Sequence, residues 1–252
     1  MEILSEYLQT DHRLSRVDPR LKLGTALILL ILVLTHQGFV FPLLIAGVAA
    51  VLLLQMRIPF KVYLLRLLEP LFIILMLVLL KTLFTGREVL ASVSFWGLTL
   101  AAHQDGLLEG LRLGARIIGA VSIVTILSFC TSFTQFMAGL SWFKVPQGLI
   151  EILMFAYRYI FVLLEEAQVI YQAQKNRFGY VTAARGLQSF GTLTGSLILK
   201  VFEHSQNVSV SMVQRGYDGN LPLLKHRSFK TGEILASCAW LALFGILWKI
   251  TG

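Results

Sequence analysis

Five mostly apolar runs, at 23–35, 39–55, 67–84, 107–129 and 233–249, constrain this chain more than any other feature. A helix needs about 20 apolar residues to cross a hydrocarbon layer, and the later runs are near that length. The first is shorter, but a helix from residue 20 to 36 can cross if its polar ends snorkel to the interface. Composition agrees, with 56% of residues hydrophobic and only 14% charged, against roughly a quarter charged in soluble domains. Such a chain has too little polar surface to cover itself in water. Residues 1–20 are polar and of mixed charge, without the apolar centre of a cleavable leader, so the first run is expected to stay in the bilayer. The expected fold is an all-α integral membrane protein with about five transmembrane helices.

Charge orients the crossings. The chain carries 22 Lys and Arg against 14 Asp and Glu, a net +8. Nucleic-acid binding is one reading of so basic a chain; in a membrane protein, basic loops mark the cytoplasmic side. Seventeen of the 22 fall in the N-terminal segment, the 56–66 link and the 131–230 region, while residues 85–105 and the C-terminal end hold only Arg87 and Lys249. This places the N-terminus inside and the C-terminus outside. Three regions follow: a membrane domain of about four crossings over 1–130, a cytoplasmic or interfacial region over 131–230, and a last crossing over 231–252.

Within 131–230 the polar residues keep helical spacing. Glu151, Arg158, Glu165 and Gln172 recur every seven residues. Ser196, Lys200, Glu203, Asn207, Ser211 and Gln214 step by three or four, opposite Leu197, Ile198, Val201, Phe202, Val208 and Met212. Two long amphipathic helices that prefer an interface are expected. Each ends in a glycine beyond an arginine, at Arg177-Phe178-Gly179 and Arg215-Gly216, and glycine is the usual helix stop. Residues 175–230 alone hold eight Lys and Arg against Glu203 and Asp218, which is most of the chain's excess.

Enzymatic signatures are missing. Gly186 and Gly191 have the glycine spacing of a phosphate-binding loop, but Thr192 stands where its lysine is needed. No zinc-protease, dinucleotide or serine-hydrolase motif occurs. Cys130 and Cys238 lie far apart in apolar runs, and the five histidines lack metal-ligand spacing. Asp105 and Glu109, close to His103, approach a carboxylate pair, but Arg112 and Arg116 continue the same face and suggest an ion-pair ladder. Neither a catalytic site nor a metal or cofactor site is expected. A membrane-embedded lipid-modifying enzyme and a self-sufficient secondary carrier stay open as alternatives, the latter wanting an inverted repeat. Gly106, Gly110 and Gly114 form a small-xxx-small series that lets a helix approach closely in lipid, from this chain or from another subunit. Gly191 and Gly195 repeat it more weakly.

Three blocks, in this order on this hydropathy profile, resemble one family. Asp18-Pro19-Arg20-Leu21-Lys22-Leu23, after His12 and Leu14, looks like the D-P-R-x-K-L segment of energy-coupling factor (ECF) transporter T components. Residues 146–179 resemble the family's first coupling-helix region, with Tyr157-Arg158-Tyr159 and Glu165-Glu166 in place. Residues 212–219 look like the second coupling motif, an A-R-G followed by an aromatic. The resemblance runs from about residue 5 to 230 and is closest to the cobalt-type branch, CbiQ. The second motif reads Gln214-Arg215-Gly216, and the first reads Asn176-Arg177-Phe178 with its glycine delayed to Gly179. A literal Ala184-Arg185-Gly186 lies eight residues on and makes Arg185 the alternative. Arg177 is preferred because it ends the amphipathic helix and stands 38 residues from Arg215, which suits the family spacing.

The resemblance implies a transmembrane coupling subunit of an ATP-driven importer for cobalt, nickel being the other candidate, and not an enzyme. Its implied partners are two cytoplasmic ABC-type ATPase subunits (CbiO-like) and a membrane substrate-capturing subunit (CbiM-like, with or without a CbiN-like small subunit). The lipid bilayer is a partner; nucleic acid is not. Its implied place is the bacterial cytoplasmic (inner) membrane. The arginine of each coupling motif would project into a groove on one ATPase. Arg177 and Arg215, with Asn176, Gln214 and Gly216, are therefore the expected ATPase-coupling residues. A guanidinium suits the task, since it stays charged and grips a carboxylate with two parallel bonds.

Overall fold

The computed structural model describes residues 17–56, 58, 60–85, 89–95, 98–217 and 231–251. His12, Leu14, Arg87, Asp218 and the basic residues 225, 227 and 230 lie outside the described residues. The elements, in order, are α1 (Pro19–Thr35), α2 (Val40–Gln55), α3 (Phe60–Phe84), β1 (Val89–Phe95), β2 (Leu98–His103), α4 (Gln104–Cys130), α5 (Phe133–Trp142), α6 (Gln147–Asn176), α7 (Ala183–Gln214) and α8 (Thr231–Thr251). The chain divides into two compact units, 1–139 with 227–252, and 140–226.

In the first unit α1 starts where Asp18 caps it, its carboxylate accepting the Arg20 N–H at 3.0 Å, with Pro19 in the first turn where a missing N–H costs nothing. It ends at His36, which is buried. One ring nitrogen of His36 lies 3.1 Å from Thr251 Oγ1 at the end of α8, and the ring packs beside Phe41 and Trp248. A Cβ at Gly38 would lie 2.6 Å from that ring, so the turn into α2 needs glycine.

Helix α4 packs against α1, α2 and α3. Its N-terminal half lies on α3 with no room for side chains. A Cβ at Gly106 would run into the carbonyls of Lys81 and Thr85, one at Gly110 would lie 2.9 Å from Val78 Cα, and one at Gly114 would lie 2.8 Å from Ile74 Cγ2. Lower on the same helix, Gly119 meets Pro42 of α2. This stripe is thus covered by helices of the same chain. Lipid tails are as apolar as leucine, so association rests on close van der Waals contact and polar bonds. One such bond is at Tyr63, whose hydroxyl donates to Ala46 O at 3.1 Å and lies 2.8 Å from Ser122 Oγ. Two clusters fill the interior: Ala26, Val33, Phe41, Ile45, Ile123 and Phe244, and then Leu53, Met56, Ile58, Tyr63, Phe129 and Cys130. Leu65, Phe72, Ile73 and Leu75 of α3 face outward, an apolar surface suited to lipid.

Four helices are long and apolar enough to cross a membrane: Lys61–Phe84, Gln104–Cys130, Gln147–Asn176 and Thr231–Thr251. The chain is a multi-pass membrane protein. The five runs read from the sequence include two short helices, since α1 and α2 have 17 and 16 residues and reach only about 25 Å. Conversely α6, placed in a cytoplasmic or interfacial region by its polar stripe, has the length and average apolarity of a span. Glu151 and Arg158 are the only charged residues in its first half, which is otherwise mostly apolar, and the polar residues gather from Glu165 onward. A second difference lies at 85–105, where the sequence predicts only a polar link. The structure has an antiparallel hairpin there, with Val93 opposite Leu100 and Phe95 opposite Leu98. The alternation in 91–95 is a period-two signal that a search for apolar runs passes over.

Gly110→Leu is expected to cost about 1–3 kcal/mol by forcing α3 and α4 apart. Gly24→Ala and Gly47→Ala, with no atom within 4 Å of the added Cβ, should leave stability near wild type. Thermal unfolding of the three variants in detergent checks the contrast.

Candidate functional site

The second unit is dominated by α6 and α7, which run antiparallel, with side-chain bonds at the middle and near both ends. Both helices end in the same way. At α6, the Phe178 N–H donates to Lys175 O at 3.0 Å and the Gly179 N–H to Gln174 O at 2.9 Å. At α7, the Gly216 N–H donates to Val213 O and the Tyr217 N–H to Met212 O, both at 3.0 Å. These are Schellman closures, with Arg177 and Arg215 in the same cap position. A left-handed residue follows each arginine, Phe178 with φ 57° and Gly216 with φ 77°.

The sequence predicts a glycine stop at both ends, and the structure differs at the first. Phe178 takes the left-handed position at a cost of roughly 1–2 kcal/mol, and the glycine comes one residue later. Gly179 is needed for another reason, because a Cβ there would lie 2.6 Å from Ser189 Oγ and 2.9 Å from Gln174 O. The turn is tied down by polar bonds. Ser189 Oγ donates to Gly179 O at 2.9 Å, Gln174 Nε2 to Ser189 O at 3.0 Å, and Tyr180 Oη to Gln174 Oε1 at 2.7 Å. The rings of Tyr171 and Tyr180 pack 4.9 Å apart above it.

Arg177 and Arg215 are exposed, as are Asn176 and Gln214 before them. Among the described residues neither guanidinium has a hydrogen bond or an ion pair. Each lies where the helix dipole is negative, which favours a cation. Arg185 is placed differently. It stands in the first turn of α7, three residues past the N-cap Thr182, whose hydroxyl lies 3.4 Å from the Arg185 N–H. There the dipole is positive, and the geometry that Arg177 and Arg215 share is absent.

Between the helices lies a cluster that the sequence pattern does not reveal. Glu166 Oε1 of α6 is 3.1 Å from His204 Nε2 and 3.6 Å from Lys200 Nζ of α7, with the Tyr159 ring 6.0 Å from that of His204. Toward the far end Tyr217 donates its hydroxyl to Glu151 Oε2 at 3.0 Å, and Glu151 is buried. The side of α7 turned to α6 carries Ser189, Leu193, Lys200 and His204, while Ile198 and Phe202 are exposed. Of the apolar face read from the sequence, Leu197, Val208 and Met212 are half-buried, whereas Ile198 and Phe202 stay exposed.

The N-terminal motif lies in the first unit and joins three helices. Asp18, besides capping α1, donates its backbone N–H to Glu233 Oε2 of α8 at 3.1 Å. Pro19 opens α1 and Arg20 is buried. Lys22 Nζ donates to Cys130 O, the last residue of α4, at 2.9 Å. The Asp105 and Glu109 region does not form the expected ladder. Glu109 pairs with Lys81 of α3 at 3.0 Å, and Arg112 lies over the Phe39 ring at 5.7 Å. Among the described residues, no three His, Cys, Asp or Glu side chains converge to hold a metal ion.

Comparison with known proteins places this architecture. Residues 11–226 match the family described as CbiQ, cobalt transport protein. The chain belongs to the CbiQ family. The ECF transporter transmembrane protein EcfT of Staphylococcus aureus is 31% identical over 242 residues, 90% of this chain and 88% of that protein. An uncharacterized protein of Methanocaldococcus jannaschii is 33% identical over 217 residues, 85% and 81% of the two chains. The cobalt transport protein CbiQ of Rhodobacter capsulatus is 30% identical over 101 residues, 40% and 41%. Membership of the CbiQ family makes the chain an ECF-type transporter T component, a transporter family rather than an enzyme family. The matched residues include the N-terminal motif and both helix ends described above.

Opposite responses are expected at the two left-handed positions of this CbiQ-family chain. Phe178→Gly should raise stability by about 1 kcal/mol by relieving the left-handed strain, and Gly216→Ala should lower it by about as much. Chemical denaturation of the purified variants measures both signs.

Proposed function

We propose that this chain is the coupling subunit of an ATP-driven ECF importer for cobalt ions, docking two cytoplasmic ATPase subunits through Arg177 and Arg215. The observation that carries the reading is the matched pair of helix ends: two exposed guanidiniums at identical Schellman caps, unpartnered among the described residues. A guanidinium held this way by a rigid closure is suited to an acidic groove on another protein, where it grips a carboxylate bidentately. Two such ends suit a pair of ATPases, one arginine to each. Movement of the ATPase pair on binding and hydrolysing ATP would displace the two helix ends, and the helices would pass the displacement to a membrane subunit that captures the ion. The absence of nucleotide motifs from the sequence agrees with ATP being hydrolysed by the partners. Cobalt is supported by the family description and by the name of the Rhodobacter relative. The distribution of Lys and Arg supports a cytoplasmic N-terminus, a cytoplasmic or interfacial 140–226 unit and residence in the cytoplasmic membrane.

Arg215→Glu, and separately Arg177→Glu, should reduce co-purification of the ATPase subunits and cobalt uptake by at least about tenfold, as expected for reversing a charge in an enclosed ion pair. Arg185→Glu should leave both within about twofold, as for an exposed charge outside the contact. Normal uptake and intact co-purification with Arg215→Glu would overturn the assignment.

A further inference from the structure

Helices α6 and α7 correspond to each other under an offset of 38 residues. Their last residues, Asn176 and Gln214, and their caps, Arg177 and Arg215, are 38 apart. So are Gly148-Leu149 and Gly186-Leu187, Glu165 and Glu203, and Gln168 and Gln206. The residue pairs joined near the two ends obey the same offset, although the bonds differ in kind. The residue two past the first arginine, Gly179, accepts at its carbonyl from Ser189 Oγ, and the residue two past the second, Tyr217, donates its hydroxyl to Glu151. Glu151 and Ser189 are again 38 apart. Two antiparallel helices whose contacting residue pairs repeat under one offset are related by an approximate two-fold axis across their midpoint.

Glu166 and His204 are also 38 apart, and they are bonded to each other. Equivalent positions can touch only close to such an axis. Arg177 lies 11 residues beyond Glu166, and Arg215 lies 11 beyond His204. At 1.5 Å per residue each arm is about 16 Å long, and the two point in opposite directions. We infer that Glu166, gripped by His204 and Lys200, is a positioning residue: the pivot about which the two arginine-bearing arms move symmetrically. A rotation of about 10° there would carry each guanidinium about 3 Å. The second carboxylate oxygen of Glu166 is buried and lacks a hydrogen bond among the described residues, so the grip leaves an acceptor for a rearranged Lys200 or His204. The inference rests on the coupling role proposed above.

The test uses the chain co-expressed with its ATPase and capture subunits, in three variants: Glu166→Gln, His204→Ala, and the exchange Glu166→His with His204→Glu. Each single change should lower cobalt uptake at least about fivefold while the ATPases still co-purify, and the exchange should restore uptake to within about twofold. A pairing near a two-fold axis predicts that the exchange works, because the two positions are then interchangeable. Unchanged uptake in both single variants, or an exchange no better than they are, overturns the pivot; so does loss of ATPase co-purification, which would make the cluster an assembly contact. If a single variant fails to accumulate, the exchange decides: accumulation with uptake supports the pairing, and failure overturns it. The docking reading fails separately, through intact co-purification of Arg215→Glu.

Discussion

The last carbonyls of a helix have no partner within the helix, and a chain that must live in or beside lipid cannot leave them bare. Much of this structure follows from how those ends are closed. The α4 end is met by the ammonium of Lys22, which reaches Cys130 O from the first turn of α1. At α1 and α2 the cap residues His36 and Met56 extend the helical ladder by one bond, to Leu32 O and Leu52 O. Helices α6 and α7 end in self-contained Schellman closures that need no other element. The lysine bond ties helices together within a unit. The Schellman closure leaves the cap residue projecting, and both candidate coupling arginines occupy it.

Packing between the membrane helices has a different origin from that of a soluble core. Burying α3 against α4 removes no apolar surface from water if lipid is the alternative. The gain is the close approach itself, and the glycines of α4 permit it. Gly106 and Gly110 bring backbone against backbone, where dispersion contacts are densest and a single methyl group is felt. The exposed leucines and phenylalanines of α3 can then be left for lipid without loss.

Local patterns in the sequence disclosed what is local in the structure. Apolar runs located four helices to within a few residues; α3 begins seven residues before its run, because Lys61 and Arg66, read as part of a basic link, lie in its first turns. The spacing of Arg177 and Arg215 is the spacing of two helix ends. Contacts between distant residues were not legible. Glu166 reads as one of a pair of acidic residues on a helix, and nothing in its neighbourhood says that His204 will reach it. Glu109 shows the converse error: its helical neighbours Arg112 and Arg116 are three and seven residues away, yet Lys81 from another helix takes the carboxylate. The left-handed Phe178 was hidden for a third reason. Propensity assigns that conformation to the nearest glycine, but Gly179 is claimed by the close approach of Ser189, and the strain falls on the residue before it.

For docking of the proposed kind, the rigidity of the two closures counts as much as the charge they carry. An exposed guanidinium gains at most about 1 kcal/mol from an ion pair in water, so each arginine is a weak ligand for stray anions. Enclosed in an acidic groove, the same pair resists truncation by several kcal/mol. The contrast favours a shaped partner over a merely acidic one. Two arginines at fixed separation add a second filter, because the second contact becomes intramolecular once the first is made, and its effective concentration depends on how narrowly the free end is held. A frayed helix end would spread its guanidinium over many positions and lose that advantage. The residue two past each arginine is also held, Gly179 at its backbone carbonyl by Ser189 and Tyr217 through its side-chain hydroxyl by Glu151.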